Sequence, residues 1–346
     1  MVIRKNPVTL RDVARVAEVS YNTVSLVVRD SPLVLPATKE RVRAIIEQMN
    51  YHPNAAASAL RSARSKTLAY LVWREPETAL DEEVDVFRNR IFKAISDCTQ
   101  EHDYYVLQNN FVDAQRCLSL FQSRRIDGLL IDMLIPDSVI ETLIDNQVPL
   151  VVVGRGYNDP TISWVKADEQ NGAYQATKHL LDVKHKKIGL LTVDFPSHPI
   201  VHDREEGFYQ ALHEAGITIE PSYRVCGDWT FESGYTQCQQ LLQQEPRPTA
   251  IFALNELMAA GSLQAAADMK LRVPRDIAIV TIEDSFWVKY VRPQLTAVHV
   301  PMYEVGRRAT EVLLAQLDAS ITAAQHIVIP TGFVVRESSV RRRPSS

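Results

Sequence analysis

The sequence has only four cysteines in 346 residues (Cys98, Cys117, Cys226 and Cys238), with no CxxC pair and no zinc-ligand spacing. That excludes a disulfide scaffold and a zinc finger, and points to reduced, structural thiols. No apolar run approaches the roughly 18–20 residues a membrane span needs. Met1 to Pro7 lead straight into a polar pattern without the apolar stretch of a signal peptide, so a cytoplasmic location and no membrane partner are expected. GxSxG, GxxxxGK(S/T) and GxGxxG are all missing, which removes the usual marks of a serine hydrolase, a phosphate-cradling loop and a dinucleotide site. His198 and His202 stand four apart, but Pro199 lies between them and no third ligand follows at a metal spacing. No catalytic residue, metal or cofactor is therefore assigned, and the chain is not expected to be an enzyme.

What is present is ordinary globular composition, 46% hydrophobic and 23% charged, with length for two or three domains. The net charge of −4 hides an asymmetry. Residues 1–66 carry 11 Lys/Arg against 5 Asp/Glu, whereas the remainder carries 27 against 37. A small basic head on an acidic body is the electrostatic footprint of a nucleic-acid binder, although a solvated basic helix surface would have the same charge.

The first 51 residues read as three short helices. Thr9 suits the N-cap of Leu10–Ala17, with Asp12 in the first turn, where a negative charge complements the helix dipole. Ser20 suits the N-cap of Tyr21–Val28. Pro36 and Thr38 open a third helix with Val42, Ile45, Ile46 and Met49 at helical spacing. Val13, Ala14, Ala17, Val19, Val24 and Val27 or Val28 give the first two helices a shared apolar face across Glu18-Val19-Ser20, and small Ala14 permits a close crossing. This is a helix-turn-helix pattern, in which the second helix enters the major groove, though an ordinary helical hairpin would fit the same spacing. Ser20 and Thr23 suit phosphate contacts. Tyr21 and Asn22 start the reading helix, and Asn can pair bidentately with adenine. Residues 52–66 follow as an Ala-rich linker, Asn54 to Arg61, too short for a stable helix alone.

From Thr67 to about residue 340, apolar runs such as Gly128–Asp132 and Leu150–Val153 alternate with helical patterns such as Gly172–Val183, Glu205–Ala215 and Met302–Leu317. That alternation predicts parallel sheets covered by helices, in two Rossmann-like lobes. The near lobe is expected at about 67–166 and 297–326, and the far lobe at about 167–296 and 327–340. Residues 341–346 form a short basic tail. Ligands bind at the carboxyl ends of strands in such sheets, so Trp73 and Arg74, closing the first strand, are cleft candidates; an ordinary loop is the alternative.

The head segment Val8-Thr-Leu-Arg-Asp-Val-Ala-Arg-Val-Ala-Glu-Val-Ser-Tyr-Asn-Thr-Val-Ser-Leu-Val-Val28 resembles the LacI/GalR (lactose/galactose repressor) family, whose signature runs VTLxDVAxxAGVSxxTVSRVVN. The resemblance continues through Met49-Asn-Tyr-His-Pro-Asn54 and Ala59-Leu-Arg61. Body motifs fall in the family's order: Arg204-x-x-Gly207, Cys226-Gly-Asp-Trp229, Pro248 to Asn255, and Pro293 to Val298. It implies an all-α helix-turn-helix head on an α/β body of the periplasmic-binding-protein (type I) kind. It further implies a homodimer on a pseudo-palindromic double-stranded DNA operator, controlled by a small-molecule effector between the lobes. Thr9, Asn54, Ala57 and Leu60 join the DNA-contacting candidates by this likeness, Leu60 as a minor-groove wedge with Ala57 its small neighbour. A passive linker is the bland reading of that segment.

Arg204, Trp229, Asn255 and Glu283 match the family's effector-binding positions, as a polar clamp, a stacking platform and two polar partners. Each would also suit a buried structural role. A carbohydrate is the expected effector, with a nucleoside, another metabolite or an empty cleft as alternatives. Two departures stand out in the head. Glu18 replaces the usual turn glycine, and Leu26 replaces an arginine of the reading helix. Leu26 either touches a thymine methyl or packs against the head, and Arg29 could restore a contact. A two-lobed solute-binding receptor, the rival from another class, would need an export signal and no basic head.

Overall fold

A computed structural model describes residues 8–28, 30–51, 64–73, 86–109, 113–195 and 198–340. The chain divides into two compact units, one made mainly of the first 66 residues and the other of the rest.

The small unit holds α1 (Leu10–Val16), α2 (Tyr21–Val28) and α3 (Pro36–Gln48). Thr9 closes a reciprocal capping box: its Oγ1 accepts the Asp12 N–H at 3.3 Å, and the Asp12 carboxylate accepts the Thr9 N–H at 3.0 Å. Beyond the Ala17 cap, Glu18 is left-handed with φ 51°, and the Val19 N–H reaches back to the Ala14 carbonyl at 3.1 Å. This is the chain reversal that separates the two helices. Ser20 Oγ then accepts the Thr23 N–H at 3.0 Å and caps α2. Val13, Ala14 and Ala17 of the first helix bury against Val24 and Val27 of the second and Val42 of the third. Asp30 receives Lys39 at 2.9 Å and Arg43 at 2.6 Å, which ties the loop after α2 to α3.

The large unit has two six-stranded sheets. The first uses β1 (Thr67–Leu71), β2 (Tyr105–Asn109), β3 (Gly128–Asp132), β4 (Leu150–Val153), β5 (Ser163–Ala167) and β11 (His326–Ile329), in the order β11-β5-β4-β3-β1-β2. The second uses β6 (Ile188–Val193), β7 (Arg224–Gly227), β8 (Ala250–Ala253), β9 (Ala278–Ile282), β10 (Thr296–His299) and β12 (Gly332–Val334), in the order β12-β10-β9-β8-β6-β7. Every pairing is parallel except β10 with β12. Every residue of β3, β4, β6, β8 and β9 is buried, as expected when helices cover both faces. The helices are α4 (Val86–Glu101), α5 (Ala114–Gln122), α6 (Asp137–Asp145), α7 (Glu169–Asp182), α8 (Pro199–Glu214), α9 (Phe231–Leu242), α10 (Glu256–Asp268) and α11 (Met302–Leu317). Among these, α4 packs on α11, α7 on α8 and α9 on α10.

The chain changes sheet after Ala167, after His299 and after Ile329, where boundaries at 166, 296 and 326 were expected. The later two crossings coincide with Pro301 and Pro330. Proline has no N–H for the ladder, so the strand runs up to it before the chain leaves.

Candidate nucleic-acid interface and ligand cleft

In the small unit, Tyr21 and Asn22 open α2 and are exposed, while Val24, Ser25 and Val27 turn inward. The helix therefore presents its first residues outward and anchors by its later ones. The Ser20 and Thr23 hydroxyls lie 2.8 Å apart at the helix start, and Thr9 is exposed at the start of α1. Leu26 is half-buried and packs against the head core. Arg29, Asn54, Ala57, Leu60 and Arg74 lie outside the described residues.

In the large unit, polar side chains gather at the carboxyl ends of the strands. Arg204, on α8, is completely buried. Its Nε donates to Glu169 Oε2 at 2.9 Å, and one terminal nitrogen donates both to Glu169 Oε1 at 3.2 Å and to Glu283 Oε1 at 3.1 Å. The other terminal nitrogen donates to the Leu254 carbonyl at 2.7 Å. Glu283 follows β9 directly and is left-handed, with φ 77°. Glu256, at the start of α10, accepts the Ser285 N–H at 3.0 Å and the Trp287 indole N–H at 3.1 Å. Burial pushes the Glu256 carboxyl up. Burial does the same to Glu283, taking it to about 8, with Arg204 opposing and the charges of Glu256 and Glu169 adding.

Asn255 caps α10. Its Oδ1 accepts the Met258 N–H at 2.9 Å, and its Nδ2 donates to the Trp229 carbonyl at 2.8 Å. One amide N–H is left for anything else, so within the chain Asn255 holds Trp229, itself left-handed at φ 75°. The Trp229 ring tilts against His198, with centroids 5.3 Å apart, and Phe195 meets His198 edge-on at 5.2 Å. His198 Nδ1 is buried and has no hydrogen-bond partner among the described residues. Burial, reinforced by Arg204 and Arg88, takes this imidazole down to about 3, so it is neutral at physiological pH. Trp73 stands two residues beyond β1 and is half-buried.

The first sheet contributes residues that sequence reasoning missed. Asp132, the last residue of β3, is buried and accepts the Tyr70 hydroxyl at 3.2 Å, with Arg88 of α4 at 3.5 Å. Arg88 acts on His198, and Arg90 acts on Glu256. Lys166 of β5 pairs with Asp203 of α8 at 2.7 Å, so the two lobes meet through charged groups. The signal for Asp132 and Glu169 was available, since both stand at strand ends by the rule that singled out Trp73. His198 stands just before α8 as its N-cap residue, in extended backbone, and Pro199 takes the first helical position, where proline is at home. Among the described residues, no group of three or more His, Cys, Asp or Glu side chains could hold a metal ion, and no helix is long and apolar enough to cross a membrane.

Comparison with known proteins places these features. Residues 9–54 match the family described as bacterial regulatory proteins, lacI family, and residues 177–339 match a periplasmic binding protein-like domain. Catabolite control protein A of Priestia megaterium is 30% identical, over 96% of this chain and 99% of that protein. The HTH-type transcriptional repressor PurR of Haemophilus influenzae (strain PittEE) is 32% identical, over 95% of this chain and 98% of that protein. A crystal structure of the lac repressor dimer bound to operator and the anti-inducer ONPF superposes with a TM-score of 0.83, at 25% identity, over 97% of this chain and 100% of that one.

Proposed function

The chain belongs to the lacI family of bacterial regulatory proteins, and from that premise we propose that it is a transcriptional repressor that binds a near-palindromic operator as a homodimer. One observation carries the reading. A capping box and a left-handed turn fix two helices around a buried seam, and the second helix holds Tyr21 and Asn22 outward at its start. Those are the positions from which a reading helix reaches base edges. Two copies would place two such helices on half-sites one helical turn apart, which favours an inverted-repeat site. The operator complex of the lac repressor dimer supports the same assembly here.

In this reading the body is a sensor. The cluster around Arg204 joins elements of the second sheet, while Lys166 with Asp203, Arg88 and Arg90 connect that lobe to the first. A small molecule seated among these groups would favour one lobe arrangement over another, and differential affinity for two arrangements is what allosteric control requires.

The test is selection of bound duplexes from a random DNA pool by the full-length protein, with sedimentation analysis of the complex. Recovery of an inverted repeat held by two copies is the expected result. No duplex retained above background at low ionic strength would overturn the reading.

A further inference from the structure

The cleft differs from a general polar pocket in how its charges are spent. Arg204 has five N–H donors, and its partners within the chain take four: two on Glu169, one on Glu283 and one on the Leu254 carbonyl. A phosphate or carboxylate arriving there would have to displace a buried glutamate. The charges that act on one another here are the carboxylates of Glu169, Glu256, Glu283 and Asp132 and the guanidinium groups of Arg204, Arg88 and Arg90. With every carboxylate ionised the set is one cation short of neutrality; the chain alone makes up the difference by keeping the Glu283 proton, which an arriving cation would release.

The unfilled polar atoms point the same way. Ser285 is 3% exposed, follows Glu283 by two residues, and donates its own N–H to Glu256, yet its Oγ is buried with no partner among the described residues. His198 Nδ1 is likewise unpartnered, on a neutral ring that acts as an acceptor at that nitrogen when Nε2 carries the proton. Among the described residues Glu283 Oε2 has no hydrogen-bond partner, and it becomes an acceptor once the Glu283 proton is released. The site thus offers acceptors and negative charge. The Trp229 ring lies against His198, and the Trp287 indole N–H lies against Glu256, so aromatic side chains border the same residues.

We propose that this cleft takes a small organic ligand bearing a protonated amine, with the ammonium group between Glu283 and Glu256 and a further ligand donor on His198 Nδ1. The proposal rests on the reading of the cleft as the effector site and names its ligand class. An amino sugar and a simple amine share this chemistry, and the probes separate them.

Titration calorimetry on the full-length protein would compare glucosamine with glucose, N-acetylglucosamine and glucose 6-phosphate, and n-butylamine with its uncharged counterpart N-butylacetamide. Glucosamine or n-butylamine should bind at least about tenfold more tightly than its uncharged or anionic counterparts. Glu283→Gln should erase that preference, with a thermal melt verifying the fold; if that variant does not fold, Glu256→Gln serves the same purpose. Preference for glucosamine alone identifies an amino sugar, and preference for n-butylamine a simple amine. Equal or tighter binding of a neutral or phosphorylated sugar, or no binding of either amine, overturns the proposal. If glucose binds and changes operator occupancy, the sensor reading survives and only the ligand class falls. If the protein ignores duplex DNA altogether, the regulator reading falls first.

Discussion

Gly207 lies so close to the backbone of Gln170 that a methyl group on it would sit 2.0 Å from the Gln170 carbonyl oxygen. The contact sets how closely α8 approaches α7. Arg204 is one turn before Gly207 on α8, and Glu169 is the residue before Gln170 on α7, so the same approach brings guanidinium to carboxylate. Gly207→Ala must force the two helices apart, because the obstacle is backbone rather than a movable side chain. A loss of about 1–3 kcal/mol is expected, in line with other overpacked interiors. Urea unfolding of the full chain checks it, and a midpoint equal to that of the parent would show that the helices can separate freely.

The Arg204–Glu169 pair is itself a stability element. Both side chains are within 2% of complete burial. Removing one partner leaves the other charged and unpaired, which typically costs about 3–5 kcal/mol. Glu169→Ala and Arg204→Ala should each lower the unfolding midpoint strongly, and the double variant should lose clearly less than the two single losses added together. Additive losses would mean that the two groups do not depend on one another. Loss of ligand binding in Arg204→Ala alone therefore says little about a direct ligand contact.

Much of this was legible beforehand because it depends on local chemistry. Thr9, Ser20 and Pro36 mark helix starts by their own hydrogen-bonding and backbone constraints, and the strands Gly128–Asp132 and Leu150–Val153 are continuous apolar runs bounded by polar turns. The short strands β7 and β12 were not legible. Their residues are half-exposed or exposed, so no apolar run announces them, and pairing with β6 and β10 alone makes them strands. The site was half legible. Likeness to a family points to Arg204 and Glu283, but the bond between them, and the engagement of Glu169 and Asp132, depend on residues brought together from distant parts of the chain.

The two perturbed groups of the cleft give stability a defined pH dependence. Glu283 is raised from 4.5 to about 8, so the folded chain holds this proton more tightly than the unfolded chain, and stability falls as pH rises across that window. His198 is lowered from 6.5 to about 3, so the unfolded chain takes up its proton first, and stability rises with pH between those values. A maximum at about pH 5.5 is expected from the pair, midway between the unfolded values of 4.5 and 6.5. In Glu283→Gln the decline above the maximum should flatten, while the rise below it persists. Urea midpoints at half-unit pH steps test this; an unchanged alkaline decline in the variant would remove Glu283 as its source.

Glu18 occupies a conformation that side chains resist. At φ 51° its Cβ crowds the backbone, a penalty of roughly 1–2 kcal/mol that glycine escapes. Its side chain is exposed, so truncation there removes little packing. Glycine also gives the unfolded chain more freedom, which takes back about 0.4–1 kcal/mol. Glu18→Gly should therefore stabilise the helix pair by a net amount of about 0.5–1 kcal/mol, and the turn from the Ala14 carbonyl to the Val19 N–H should tighten with it. Hydrogen exchange on the full chain reads this directly: amides of α1 and α2 that exchange through opening of the head should slow by about two- to fivefold, with those of the large unit unaffected. Unchanged or faster exchange in α1 and α2 would mean that the left-handed glutamate is held without strain.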